Sequence, residues 1–241
     1  MDGAFELNGY RFIQEWGAGI GALNPEFPVF ALMKSNQGVH AYLDFLDGRR
    51  CDRVVELGVM KGGSCVFFNE LLKPSLHVAV EINRGCPSSL ARYVEKVRRD
   101  KRVLSVADGV SQTDIGAIKA IVGKAPLDFV VDDASHEYTL SRASFEGLFP
   151  LLRPGGVYAL EDWGWAQWGG DWQKPDHPWS SQAALSNLVL EMCLICTSHG
   201  DLVSEIHVTP ITTFIVRGPA EIERVDVAES YTARGRKLVH L

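Results

Sequence analysis

The chain has 241 residues, a formal net charge of −6 and a pI near 5.6, with 46% hydrophobic and 22% charged residues. That acidic balance argues against nucleic acid as a main partner, because phosphate binding needs clustered Lys and Arg. No run reaches the roughly 18 apolar residues of a membrane span. The opening MDGAFELNGYRF lacks the basic-then-apolar layout of a signal peptide, so a cytoplasmic protein without a membrane partner is expected.

Residues 1–50 read as an irregular arm followed by a helix over 35–46. Short apolar strands are then expected at 53–59, 76–82, 102–107, 127–131 and 157–160, alternating with helices at 65–72, 87–98, 113–122 and 138–152. That alternation predicts an α/β fold, a Rossmann-like doubly wound sheet built from βαβ units. A helix over 181–197 and two strands over 202–208 and 213–216 complete seven strands, mostly parallel with an antiparallel last strand. The expected domain spans 51–218, and 219–241 is a polar tail. The basic cluster at Arg98, Arg99, Lys101 and Arg102 reads as a solvated helix end. Five cysteines, with Cys193 and Cys196 as a lone C-x-x-C inside a helical run, predict buried thiols and no metal or redox pair.

In an open α/β sheet, ligands sit at the carboxyl ends of the strands. The first of the alternating strands ends in VVELGVMKGGS, with Glu56, Gly58, Gly62, Gly63 and Ser64. This spacing is neither G-x-G-x-x-G nor G-x-x-x-x-G-K-[ST], which disfavours a dinucleotide and ATP. A glutamate before the first glycine suits a cationic ligand better than a pyrophosphate. The next strand ends in Glu81, a side chain placed to take the two hydroxyls of a ribose. The third ends in Asp108, which could meet an adenine amine. Lys34 and Gln37, before the first of these strands, are further candidates for the cofactor pocket.

The fourth of these strands runs into VVDDASHEY, and the fifth ends in Glu161-Asp162. Asp133, Glu161 and Asp162 would converge, and three carboxylates so close repel one another. An all-oxygen set invites a hard cation, Mg²⁺ first, with Mn²⁺ or Ca²⁺ as alternatives. His136, three residues after Asp133, reads as a general base because imidazole titrates near neutral pH. The segment after Asp162 holds five of the six tryptophans among Gly and Pro, and reads as a functional lid loop over 163–180. Trp163, Trp165, Trp168, Trp172 and Trp179 offer aromatic faces for a sugar ring, with His177 as a polar partner.

The glycine turn, Glu81 and Asp108 resemble the class I S-adenosylmethionine-dependent methyltransferases. The D-x-S-H sequence, the stretch at Phe145-Glu146-Gly147-Leu148-Phe149-Pro150, Arg153-Pro154-Gly155-Gly156 and Glu161-Asp162 narrow the likeness. They resemble the metal-dependent sugar O-methyltransferases of macrolide biosynthesis, the macrocin and mycinamicin type. That resemblance implies S-adenosylmethionine bound by Glu56, Gly58, Gly62, Gly63, Ser64, Glu81 and Asp108. It implies Mg²⁺ on Asp133, Glu161 and Asp162, with His136 as base. It also implies a small-molecule or oligosaccharide acceptor and a homo-oligomer, commonly a dimer. Two readings stay open beside it: a metal-dependent O-methyltransferase for a non-sugar hydroxyl, and a cofactor-binding module without catalysis.

Overall fold

The computed structural model describes residues 3–15, 18–100, 102–236 and 238–239. Its main sheet has seven strands, and a second sheet has three. The chain divides into two compact units, Met1–Ala125 and Pro126–Leu241.

The first unit opens with β1 (Ala4–Leu7) and β2 (Tyr10–Gln14), paired antiparallel, and β3 (Val29–Leu32), parallel to β2. This overturns the expected irregular arm. The physical cause is Asn8-Gly9, both at positive φ (50° and 83°), the backbone that a tight hairpin turn requires. Phe12 stacks on Phe5 and sets its edge against Phe67, which ties the small sheet to the core. Next come α1 (Asn36–Leu46), capped by Ser35 accepting from the Gly38 amide, then β4 (Arg53–Leu57) and α2 (Gly63–Leu72). β5 (Leu76–Glu81), α3 (Ser88–Arg99), β6 (Val103–Asp108) and α4 (Ile115–Val122) complete the unit. β4 pairs parallel with β5, and β5 with β6.

The second unit contains β7 (Leu127–Asp132), α5 (Tyr138–Leu148), β8 (Leu152–Glu161), α6 (Ser186–Ser198), β9 (Val203–Val208) and β10 (Thr212–Arg217). β8 runs parallel to β7, while β10 is antiparallel to both β8 and β9. The strand order in the large sheet is β6-β5-β4-β7-β8-β10-β9, so the expected sheet is borne out. β8 begins five residues earlier than the sequence suggests. Pro154-Gly155-Gly156 does not end an element; it sits inside the strand, and a register shift in β7 between Leu127 and Phe129 accommodates it. Only Cys51 and Cys65 are the buried thiols expected; Cys86 is exposed, and Cys193 is exposed and Cys196 part-buried because α6 buries its other face through Leu188, Met192 and Ile195. No described helix is long and apolar enough to cross a membrane.

Arg102 departs from a solvated helix end as well; Lys101 lies outside the described residues. The Arg102 guanidinium donates to Glu70 Oε1 (3.0 Å) and to Asn69 O and Oδ1 (3.1 and 3.0 Å). Tyr93 donates to the same Glu70 oxygen (2.5 Å), and Asn8 Nδ2 reaches Oε2 (3.2 Å). Burial raises the Glu70 pKa, but the bonds from Tyr93, Arg102 and Asn8 outweigh it and hold the carboxyl below its ordinary value near 4.5. A carboxylate with a depressed folded pKa stabilises fully above its unfolded value and loses that contribution as pH falls through the folded value. Unfolding titrations between about pH 3 and 6 are therefore expected to show an acid limb that is shallower in Glu70→Gln than in the wild type.

Candidate active site

Glu56, in β4, is fully buried, and His77 of β5 donates from Nε2 to its Oε2 at 3.1 Å. Because a carboxylate only accepts, the imidazole hydrogen lies on Nε2. Glu56 Oε1 and His77 Nδ1 have no hydrogen-bond partner. Burial, then the Glu56 charge and a side-chain hydrogen bond to Glu56, push the Cys65 thiol of α2 well up. Leaving a buried acceptor unpaired costs about 1–3 kcal/mol, so the Oε1 atom suits a donor that arrives with a ligand.

The turn after β4 is built on positive φ at Gly58 (93°), Met60 (48°) and Gly62 (80°). Gly63 is required by packing: a Cβ there would lie 2.0 Å from the carbonyl oxygen of Ala31 in β3. Gly62 caps α2 without a side chain, which leaves first-turn amides open for an anionic ligand group. Ser64 is half-buried in that first turn.

Glu81, at the end of β5, clamps the turn. Its Oε2 accepts from the amides of Val59 and Met60 (3.0 Å each), and its Oε1 from Asn83 N and Nδ2 (2.9 and 2.8 Å). Burial raises its pKa, and these bonds more than reverse that and lower it. Asp108, at the end of β6, accepts from the Gly85 amide at 2.7 Å and is exposed. Lys34 is buried, with its ammonium 5.7 Å from the ring centres of Tyr42 and Phe68, whereas Gln37 is exposed.

In the second unit, Asp133, His136 and Asp162 each bring one ligand atom to within 4.8 Å of the others. His136 Nε2 lies 3.7 Å from Asp133 Oδ1 and 3.9 Å from Asp162 Oδ2. Both His136 (φ 55°) and Asp162 (φ 51°) are left-handed, a conformation that non-glycine residues hold only where their surroundings enforce it. The enforcement is visible: Trp165 Nε1 donates to the His136 carbonyl (3.0 Å), and the Asp162 amide donates to Ile211 O (2.8 Å). Glu161, the last residue of β8, is buried and is not one of these three. Asp132 precedes Asp133 in the chain, with Tyr158 donating to its Oδ2 at 2.7 Å. Burial pushes the Asp132 carboxyl up to about 7 despite that bond and the nearby His136.

The loop after Asp162 is an aromatic ladder around two short 3-10 turns, Trp165–Gln167 and Gly170–Gln173. Trp163 and Trp165 serve as struts: Trp163 Nε1 donates to Thr209 O (2.9 Å), and Trp165 is buried. From His136 the rings continue through Trp179 (6.0 Å between centres) to Trp172 (5.5 Å) and Trp168 (5.1 Å). His177 lies 4.8 Å from Trp172, and its Nδ1 accepts from the Trp179 amide at 3.2 Å. Trp168, Trp172, His177 and Trp179 are part-exposed and form the accessible portion.

Residues 55–163, somewhat under half of the chain, match the family model described as a methyltransferase domain. Two curated relatives are named as O-methyltransferases. The chain is 39% identical over 72 residues to demethylmacrocin O-methyltransferase of Streptomyces fradiae, covering 30% of this chain and 18% of that protein. It is 36% identical over 85 residues to mycinamicin VI 2''-O-methyltransferase of Micromonospora griseorubida, covering 35% of this chain and 21% of that one. A similar solved structure is the MycE methyltransferase of the mycinamycin biosynthetic pathway in complex with Mg, SAH and mycinamycin VI. It superposes with a TM-score of 0.55 at 25% identity, over 78% of this chain and 50% of MycE. The chain thus spans half of MycE and aligns with about a fifth of each curated relative.

Proposed function

We propose that this chain transfers a methyl group from S-adenosylmethionine to a hydroxyl of a sugar or glycoside, with Mg²⁺ as the resident cation. The observation that carries the reading is the Asp133–His136–Asp162 trio, held by two left-handed residues at the end of a methyltransferase sheet. The donor set fits a hard cation, since two of the three side chains offer oxygen and none offers sulfur. Asp133 and Asp162 would hold the cation, with Glu161, next to Asp162 in the chain, as a further oxygen donor. Bound there, it supplies Lewis acidity that lowers the pKa of an acceptor hydroxyl. Bound S-adenosylmethionine supplies the sulfonium methyl.

The chain's own residues do the rest. Glu56 takes the cofactor's α-ammonium on Oε1, and the α2 amides near Gly63 and Ser64 take its carboxylate. Gly58 and Gly62 give the turn its shape. Glu81 takes the ribose by exchanging part of its bonding to the turn, and Asp108 lies toward the base. His136 removes the hydroxyl proton at Nε2. Trp172, Trp168 and Trp179, with His177, offer the flat apolar faces and polar edge that a sugar ring packs on. A second reading for His136, as the third cation ligand, is favoured by the 4.8 Å grouping itself.

The test joins a calorimetric titration with S-adenosylhomocysteine to a methyl-transfer assay over glycosides and small planar hydroxyls. Turnover on glycosides that stops with EDTA and returns with Mg²⁺ is the expected result. EDTA-insensitive transfer would sink the cation assignment, and preference for a planar catechol would replace the sugar with a non-sugar acceptor. Binding without turnover on any acceptor would leave a cofactor-binding module.

A further inference from the structure

The geometry points to His77 as a positioning residue for cofactor binding: it holds Glu56 Oε2 so that Oε1 stays presented to the ammonium of the incoming amino-acid group. The inference rests on the reading of Glu56 as the acceptor for that group.

Three observations carry it. First, His77 and Glu56 lie on one face of the sheet. β4 and β5 pair in parallel with Val54 opposite His77 and Glu56 opposite Ala79, so Glu56 is the diagonal neighbour of His77. Second, both side chains are fully buried, at 0% exposure, and they meet each other at 3.1 Å. A polar pair at such a place costs desolvation that an apolar strand residue would avoid. β5 otherwise presents Val78, Ala79 and Val80 at its centre, so a valine at 77 would fit the local pattern. Third, no strong donor completes the pair: Glu56 Oε1 has no N–H or O–H partner, and the other side chain bonded to Glu56 is the Cys65 thiol of α2, a weak donor that a ligand ammonium would outcompete. A pair serving packing alone would close both oxygens; this one fixes the carboxylate at one oxygen and leaves the other to accept.

His77 sits a full strand away from the glycine turn and touches no proposed ligand atom; it acts through Glu56. The chemistry asked of it is a hydrogen-bond donor at Nε2, which glutamine can supply and leucine cannot.

The experiment titrates the full chain with two ligands, S-adenosylhomocysteine and 5′-methylthioadenosine, which lacks the amino-acid end. His77→Leu is expected to weaken S-adenosylhomocysteine binding by about tenfold or more, as for a lost bond to a charged group, and to leave methylthioadenosine within about twofold. His77→Gln should restore most of the affinity. In a Glu56→Gln background, His77→Leu should add little, because both changes act on the same contact. Equal loss for both ligands, or unchanged S-adenosylhomocysteine binding in a folded His77→Leu, overturns the inference. If His77→Leu does not fold, failure of a folded His77→Gln to bind S-adenosylhomocysteine near wild-type strength overturns it instead. The parent reading fails separately: there, wild type would bind both ligands equally and Glu56→Gln would change neither. Wild type that binds neither ligand removes both.

Discussion

His136→Ala is expected to lower methyl transfer by about 10²–10⁴-fold, the usual contribution of a positioned general base. Binding of S-adenosylhomocysteine should stay within about twofold, because His136 is not among the residues assigned to the cofactor. The His136 backbone is strained at φ 55°, its carbonyl is held by Trp165, and its Nε2 lies 3.7 and 3.9 Å from two carboxylates. Measuring Mg²⁺ affinity on the same variant separates the two roles. A base leaves cation affinity near wild type while turnover collapses; a ligand loses both together. Full turnover in His136→Ala would end both.

The second large effect concerns stability. Gly63→Ala is expected to destabilise the fold by about 3–5 kcal/mol or to prevent folding. Alanine normally improves a helix by about 0.5–1 kcal/mol over glycine, so the sign is the informative part. At Gly63 the added Cβ would lie 2.0 Å from Ala31 O and 2.7 Å from its carbonyl carbon, and backbone cannot swing aside as a side chain can. Gly116, inside α4, is the control: the nearest atom to its Cβ is Asp114 Oδ1 at 3.8 Å, so Gly116→Ala should be neutral or stabilising. Denaturant unfolding of the two variants reads the contrast. Equal behaviour would mean that β3 and α2 approach less closely than 2.0 Å implies.

Much of the large sheet was legible, because apolar runs at the right spacing, separated by helical periods, leave little choice of topology. The acids at the strand ends were legible too, since a carboxylate closing an apolar strand is conspicuous. What escaped had a local cause in each case. The hairpin of β1 and β2 is announced by Asn8-Gly9 between short alternating runs, a signal hidden by reading the region as an arm. The start of β8 was masked by Pro154-Gly155-Gly156, which usually stops an element. His77 gave no sign of its role, because a lone histidine in LHVAV reads as any strand residue until Glu56 is seen beside it. The split of the tryptophans into struts and accessible rings depends on how each indole packs in three dimensions, and spacing carries no such information. Gly63 reads in the sequence as a ligand-loop residue, while its close contact is with the β3 backbone.

The left-handed backbone at His136 and Asp162 has a consequence for any lineage or laboratory campaign that selects on thermal endurance alone. Both positions would relax as glycine or asparagine, residues that occupy this region at little steric cost. The easiest route to a hardier protein therefore runs through erasing the two side chains on which its proposed chemistry depends. Retention of histidine and aspartate at these two positions, where heat resistance alone favours other residues, would be the mark of selection on turnover.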